Sequence, residues 1–132
     1  MAALDLGSVR TGVALSDPGR ALATPLEVVA SGELTGYLTR LLDEQDVHEV
    51  VVGVPKTLAG EVGPQARGVL DTLAGLRRTF PAVRFVEWDE RLTTRVAAAG
   101  GGPRRKRGRR VPVDHLAAAQ MLQEYLARRG DL

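Results

Sequence analysis

The chain contains no cysteine, which excludes disulfides, zinc–thiolate centres and a thiol nucleophile, and is compatible with a reducing interior. Aromatic residues make up only 4% of it, so the core must be built from Val, Leu and Ala, and binding of single strands on stacked aromatic platforms has few residues to use. No apolar run approaches membrane-spanning length. Met1 leads straight into an apolar stretch holding Asp5, with neither a basic leader nor a small-residue cleavage site. A cytoplasmic protein without membrane contact is the expectation. No internal repeat is visible, and the only biased segment is Gly100–Arg110.

What is present fits one domain. A chain of 132 residues, 44% hydrophobic and 26% charged, can bury a single core but leaves little room for a second lobe. The net charge of +2 conceals a strong asymmetry. Met1–Glu90 carries 8 Lys+Arg against 13 Asp+Glu, a balance of −5, whereas Arg91–Leu132 carries 10 against 3, a balance of +7. Most of that excess lies in Arg104, Arg105, Lys106, Arg107, Arg109 and Arg110. Such a run is either a solvated loop or an electrostatic footprint for a polyanion. A basic loop at about residues 100–111, expected to be mobile, is therefore set within a single domain spanning 1–132.

Hydrophobic spacing outlines the elements. Ala2–Leu6, Val9–Ser16 and Ala21–Val29 read as a three-strand meander, the third at an edge or bulged because Pro25 cannot donate to a ladder. Leu34, Tyr37, Leu38, Leu41 and Leu42 mark a helix over Glu33–Gln45. The Val-rich segment Glu49–Val54 reads as a central parallel strand buried on both faces. Beyond a Gly- and Pro-bearing loop, Pro64–Phe80 returns to helical spacing, Val83–Trp88 forms the last strand, and Leu92–Ala99 a short helix ended by Gly100-Gly101-Gly102-Pro103. A final helix covers Val113–Arg128. This order predicts an α/β domain with a mixed five-stranded sheet flanked by helices: the antiparallel meander plus two parallel strands.

Three carboxylates stand in positions that call for a reason. Asp5 interrupts the first apolar strand, where an ionised group costs several kcal/mol unless it is paired or bound to metal; a salt bridge to Arg10 or a turn before Gly7 would also account for it. Asp114 is a natural helix N-cap, yet it heads the apolar stripe Ala117, Ala118, Met121, Leu122, Tyr125, which directs it toward the sheet. The small Ala117–Ala119 patch permits close approach of that helix. Asp89 and Glu90 end the last strand, at the carboxyl edge where α/β sheets place their sites. Strand alternation puts them on opposite faces, so only one joins Asp5; the other could cap the next helix. Oxygen ligands with no Cys favour Mg²⁺ or Mn²⁺ over Zn²⁺, and His48 and His115 read as structural or outer-shell groups. Mg²⁺ held by few carboxylates recruits substrate phosphates, and a pair of ions suits in-line phosphodiester cleavage. The basic run supplies attraction for the phosphate backbone.

Four blocks in order then resemble the YqgF/RuvX family: Asp5-Leu6-Gly7-Ser8-Val9-Arg10-Thr11-Gly12-Val13-Ala14-Leu15-Ser16-Asp17; Val52-Gly53-Val54-Pro55 with Gly60 and Gly63-Pro64-Gln65-Ala66; Asp89-Glu90-Arg91-Leu92-Thr93-Thr94; and Asp114-His115-Leu116-Ala117-Ala118 with Leu122-Gln123-Glu124-Tyr125-Leu126. The resemblance covers essentially the whole chain. It implies a ribonuclease H-like fold and a divalent-metal-dependent nuclease that matures the 5′ end of pre-16S ribosomal RNA, with Holliday junction resolution as the alternative. It also implies Asp5, Glu90 and Asp114 as the family's acidic positions, choosing Glu90 over Asp89; by the metal chemistry above these three are the expected ligands, with two ions bound alongside substrate. Arg10, Lys56, Arg91, Thr93 and Thr94 match positions bordering substrate. Lys56 has a case of its own, following the central strand in a loop where a phosphate could be met, although plain surface charge explains it equally well. The stretch between Thr94 and the basic run is shorter than the family pattern.

The expected partner is nucleic acid, structured RNA ahead of branched DNA, bound by a monomer or homodimer; coordinated resolution of a junction would require the dimer. Two readings of other classes compete. The first block also resembles the phosphate loop of sugar kinases and actin-like ATPases, but those close two lobes over ATP and this chain has room for one. A non-catalytic nucleic-acid-binding module would have lost acids that are all present here.

Overall fold

The computed structural model describes the backbone of residues 1–55, 61–90 and 114–130. In chain order the elements are β1 (Ala2–Leu6), β2 (Arg10–Ser16), β3 (Ala23–Ala30), a 3₁₀ turn (Ser31–Glu33), α1 (Leu34–Glu44), β4 (Glu49–Val54), α2 (Pro64–Thr79), β5 (Arg84–Asp89) and α3 (Asp114–Gly130). The strands form one mixed sheet in the order β3-β2-β1-β4-β5. β1 pairs antiparallel with β2 and parallel with β4, β2 antiparallel with β3, and β4 parallel with β5. This is the five-stranded arrangement expected of the sequence. The carboxyl ends of β1, β4 and β5 consequently share one edge.

Each strand's place follows from its residues. β4 is buried along its whole length, because its Val side chains meet helices on both faces; fully burying one such side chain contributes about 1.5–3 kcal/mol. β3 is an edge strand and is also bulged. Glu27 pairs with Val13 while Pro25 pairs with Ala14, so Leu26 is the extra residue, adjacent to the imino acid that cannot donate. β3 begins at Ala23 rather than Ala21, since the Asp17 carboxylate accepts the amide hydrogens of Gly19, Ala21 and Leu22 at 3.2, 2.8 and 2.7 Å and holds them in the turn. β2 starts at Arg10 rather than Val9, whose carbonyl is taken by the Ser31 amide. The expected helix over Leu92–Ala99 and the basic run lie outside the described residues.

Two cores sandwich the sheet. On one face Leu4, Val13, Val50, Val52, Val54 and Phe85 pack against α1 and α2 through Leu38, Leu41, Leu73 and Leu76. On the other, Ala3, Ala14, Val51 and Trp88 pack against α3 through Ala118, Ala119, Met121, Leu122 and Leu126. The small residues on the strands let α3 lie close. No helix among the described residues is long and apolar enough to cross a membrane.

Candidate functional site

The face covered by α3 carries the acids. Alternation places Asp5 on the same side as Ala3, and its partner across the ladder is Gly12. One step beyond the Leu4–Val52 pair, Asp5 is level with Gly53, which itself pairs with Trp88. Glu90 follows Trp88 by two residues, just past the end of β5, and returns to this face. Asp89 pairs with Val54 and belongs to the opposite one.

Gly53 is the position where the site's geometry is most explicit. A Cβ built there would stand 2.6 Å from Glu90 Oε2, 3.0 Å from Glu90 Cγ and 2.8 Å from Met121 Sδ. The Glu90 carboxylate therefore lies directly over the glycine backbone, in volume that any side chain would occupy, with α3 on its flank. Since Gly53 separates β1 from β5 at this level, the glycine also lets Glu90 lean across β4 toward the Asp5 strand. Asp5 and Glu90 are both partly buried. Asp114 opens α3, seven residues and two turns before Met121; its side chain lies outside the described residues. Among those described, no group of three His, Asp or Glu side chains gathers closely enough to hold a metal ion.

Arg10 is exposed and shares the parity of Gly12, so it stands on the Asp5 face at the carboxyl edge. Lys56, Arg91, Thr93, Thr94 and the basic residues Arg104–Arg110 lie outside the described residues. His48 lies at the opposite end of the sheet, exposed, with Nε2 2.9 Å from Asp46 Oδ1.

The turn joining β1 to β2 is built to a tight specification. A Cβ on Gly7 would collide with the Arg10 carbonyl oxygen, so only glycine lets the chain reverse there. Ser31, at the end of β3, reaches the same turn: its hydroxyl donates to the Gly7 carbonyl at 2.6 Å, and its amide donates to the Val9 carbonyl at 2.9 Å. Thr11, fully buried, lies 2.9 Å from the Ser31 hydroxyl. Sequence reasoning assigned roles to neither Gly53 nor Ser31. A lone Gly inside a Val run was the available signal for the first, while nothing local distinguishes Ser31.

Comparisons with known proteins agree with this architecture. The family model described as "RuvX: Holliday junction resolvase" matches residues 1–128. A protein of Rubrobacter xylanophilus named "Putative pre-16S rRNA nuclease" is 64% identical over 130 residues, covering 98% of this chain and 94% of its own. Proteins of the same name from Mycobacterium sp. (strain KMS) and Desulforudis audaxviator are each 42% identical, covering 96% of this chain and 78% and 92% of theirs. Among solved structures, "T. thermophilus RuvC in complex with Holliday junction substrate" superposes with a TM-score of 0.58 over 98% of this chain and 96% of that one, at 19% identity. That likeness is one of fold. Matched over nearly its full length by the family model and by these relatives, the chain belongs to the RuvX family.

Proposed function

We propose that this protein is a divalent-metal-dependent nuclease that hydrolyses phosphodiester bonds in maturing the 5′ end of pre-16S ribosomal RNA, with Asp5, Glu90 and Asp114 as its acidic centre. The observation that carries the reading is the convergence of Asp5 and Glu90 on one face at the carboxyl edge, with Gly53 clearing the space that the Glu90 carboxylate occupies. The names of the family's members supply the substrate class.

The donor set suits a hard cation. Carboxylate oxygens without a thiolate match Mg²⁺ or Mn²⁺, and the absence of a side chain at Gly53 makes room for the Glu90 carboxylate on the Asp5 face. Asp5, Glu90 and Asp114 are the residues that would hold it. Such ions activate water and stabilise the leaving oxygen in phosphodiester hydrolysis. The protein's own part is to hold the acids in place, to meet a flanking phosphate through Arg10, and to draw the polyanion in with Arg104, Arg105, Lys106, Arg107, Arg109 and Arg110. Lys56, Arg91, Thr93 and Thr94 complete the substrate border in this reading.

The test is to compare cleavage of a 5′-extended ribosomal precursor with that of a four-way DNA junction, in Mg²⁺, in Mn²⁺ and in chelator, for wild type and Asp5→Asn. The precursor should be cut only with metal, and Asp5→Asn should slow cutting by about a thousandfold. Preferential cutting of the junction by a dimer would replace the ribosomal substrate with the resolvase role in the family's description. Full activity in Asp5→Asn would remove the acidic centre from the mechanism.

A further inference from the structure

We infer that Ser31, supported by Thr11, is a positioning residue for the acidic centre, acting from the opposite face of the sheet by fixing the turn that follows Asp5. The inference rests on the nuclease reading above and deepens it.

Ser31 has one hydroxyl hydrogen, and at 2.6 Å from the Gly7 carbonyl it is committed there. In the contact with Thr11 Oγ1, 2.9 Å away, Ser31 must then be the acceptor and Thr11 the donor. A relay results: Thr11 hydroxyl to Ser31 hydroxyl to Gly7 carbonyl, with the Ser31 amide closing a second bond to the Val9 carbonyl. Thr11 pairs with Leu6 across the ladder and shares the parity of Val13, whose side chain packs in the core beneath α1 and α2. The relay therefore lies behind the sheet while Asp5 faces α3. Thr11 is fully buried, and a buried hydroxyl without a partner costs about 1–3 kcal/mol, so its hydroxyl is held to this use.

The turn needs such an anchor. It spans only Gly7–Val9 between two strands, and its glycine abuts the Arg10 carbonyl. Its two carbonyls held by Ser31 stand either side of Ser8, two and four residues after Asp5 and immediately before Arg10. Removing the anchor lets the turn shift by a fraction of an ångström, enough to move a carboxylate and a guanidinium relative to a bound phosphate. Misplacement of about 1 Å can cost as much as a hundredfold in rate.

The experiment measures single-turnover cleavage at saturating substrate, together with substrate affinity, for wild type, Ser31→Ala, Ser31→Thr, Thr11→Val and Asp5→Asn. Amide hydrogen exchange across residues 7–10 is measured on the same proteins. Ser31→Ala should cleave about tenfold more slowly at saturation, with affinity changed less than about twofold and faster exchange in the turn. Thr11→Val, which removes the donor but keeps the volume, should show a smaller loss of the same kind. Ser31→Thr, which retains the hydroxyl, should recover most of the rate. If Ser31→Ala cleaves at the wild-type rate while wild type and Asp5→Asn differ as expected, the positioning role is wrong and the nuclease reading stands. If wild type itself cleaves nothing, the nuclease reading falls and takes the inference with it.

Discussion

At the amino end of β4, Glu49 is buried and answered on every side: Arg20 from the β2–β3 turn at 3.4 Å, Arg84 from β5 at 3.6 Å and the Tyr125 hydroxyl from α3 at 3.2 Å. At the carboxyl end of the same sheet, Asp5 and Glu90 stand over glycines, Gly12 across the ladder from one and Gly53 beneath the other. Both ends carry carboxylates in a sheet of mostly apolar strands. At the Glu49 end, side chains from three elements converge on the acid and tie them to β4. At the other end the acids are set over glycines on the face that α3 covers, and Glu90 lies beside Met121 in the space a side chain at position 53 would take. Exposure of the arginines limits what the first arrangement contributes, since Arg20 and Arg84 side chains are 46% and 73% exposed and solvent screens them. Glu49 reads as a brace, whereas Asp5 and Glu90 are the acids that the proposed function uses.

Filling the space at Gly53 attacks the contrast most directly. Gly53→Ala puts a methyl where Glu90 Oε2 now lies at 2.6 Å. The neighbours that must give way are the ends of flexible side chains, so the fold should survive while the carboxylate is displaced. Cleavage is expected to fall about a hundredfold with an unchanged circular dichroism spectrum; wild-type activity in this variant would show that the Glu90 position over Gly53 is immaterial. The complementary change, Glu49→Ala, should lower stability by about 1–2 kcal/mol, read by urea denaturation, and leave the specific activity of the folded enzyme intact. A large loss of activity there would erase the distinction between the two ends.

Neutralising Arg104, Arg105, Lys106, Arg107, Arg109 and Arg110 to Ala should weaken RNA binding at low salt and flatten the dependence of affinity on salt, by about 0.7–0.9 in log–log slope for each phosphate that the protein ceases to neutralise. An unchanged slope would mean the run does not touch the backbone. The smallest effect concerns the turn beside the Glu49 brace. The amides of Leu22 and Ala21 hold the Asp17 carboxyl below its ordinary value of 3.8. A depressed folded-state value means the carboxylate's stabilisation is present above that ordinary value and is lost as pH falls through the lowered one. Thermal melts should therefore show wild type and Asp17→Ala converging at acid pH and separating slightly toward neutrality.

Much of this frame can be read from local pattern. The Val run of β4 declares a strand buried on two faces, Pro25 declares an edge, and the Leu spacing of α1 and Ala spacing of α3 declare which sides face the sheet. Boundaries shifted by one or two residues where a side chain captured backbone amides, as Asp17 does with Ala21 and Leu22. The rest depends on partners remote in sequence. Nothing near Glu49 announces that Arg20, Arg84 and Tyr125 converge on it from 29, 35 and 76 residues away. Nothing near Ser31 announces that it fastens a turn more than twenty residues earlier. The acids were intermediate: spacing singled out Asp5 and Asp114 but left each with an ordinary explanation, and choosing between Asp89 and Glu90 took the family pattern.

The order in which the chain is made gives α3 a further significance. It is the last of the described elements, and its seventeen residues cover Ala3, Ala14, Val51 and Trp88, on strands synthesised well before it. Until it docks, that apolar face and the acids beside it stand open to solvent, and the sheet is vulnerable to association with other chains. A nascent chain stalled before residue 114 would thus be sticky and, under the proposed function, would lack one of the three acids assigned to the centre. On that reading, competence to cut would wait until α3 has been made and has docked.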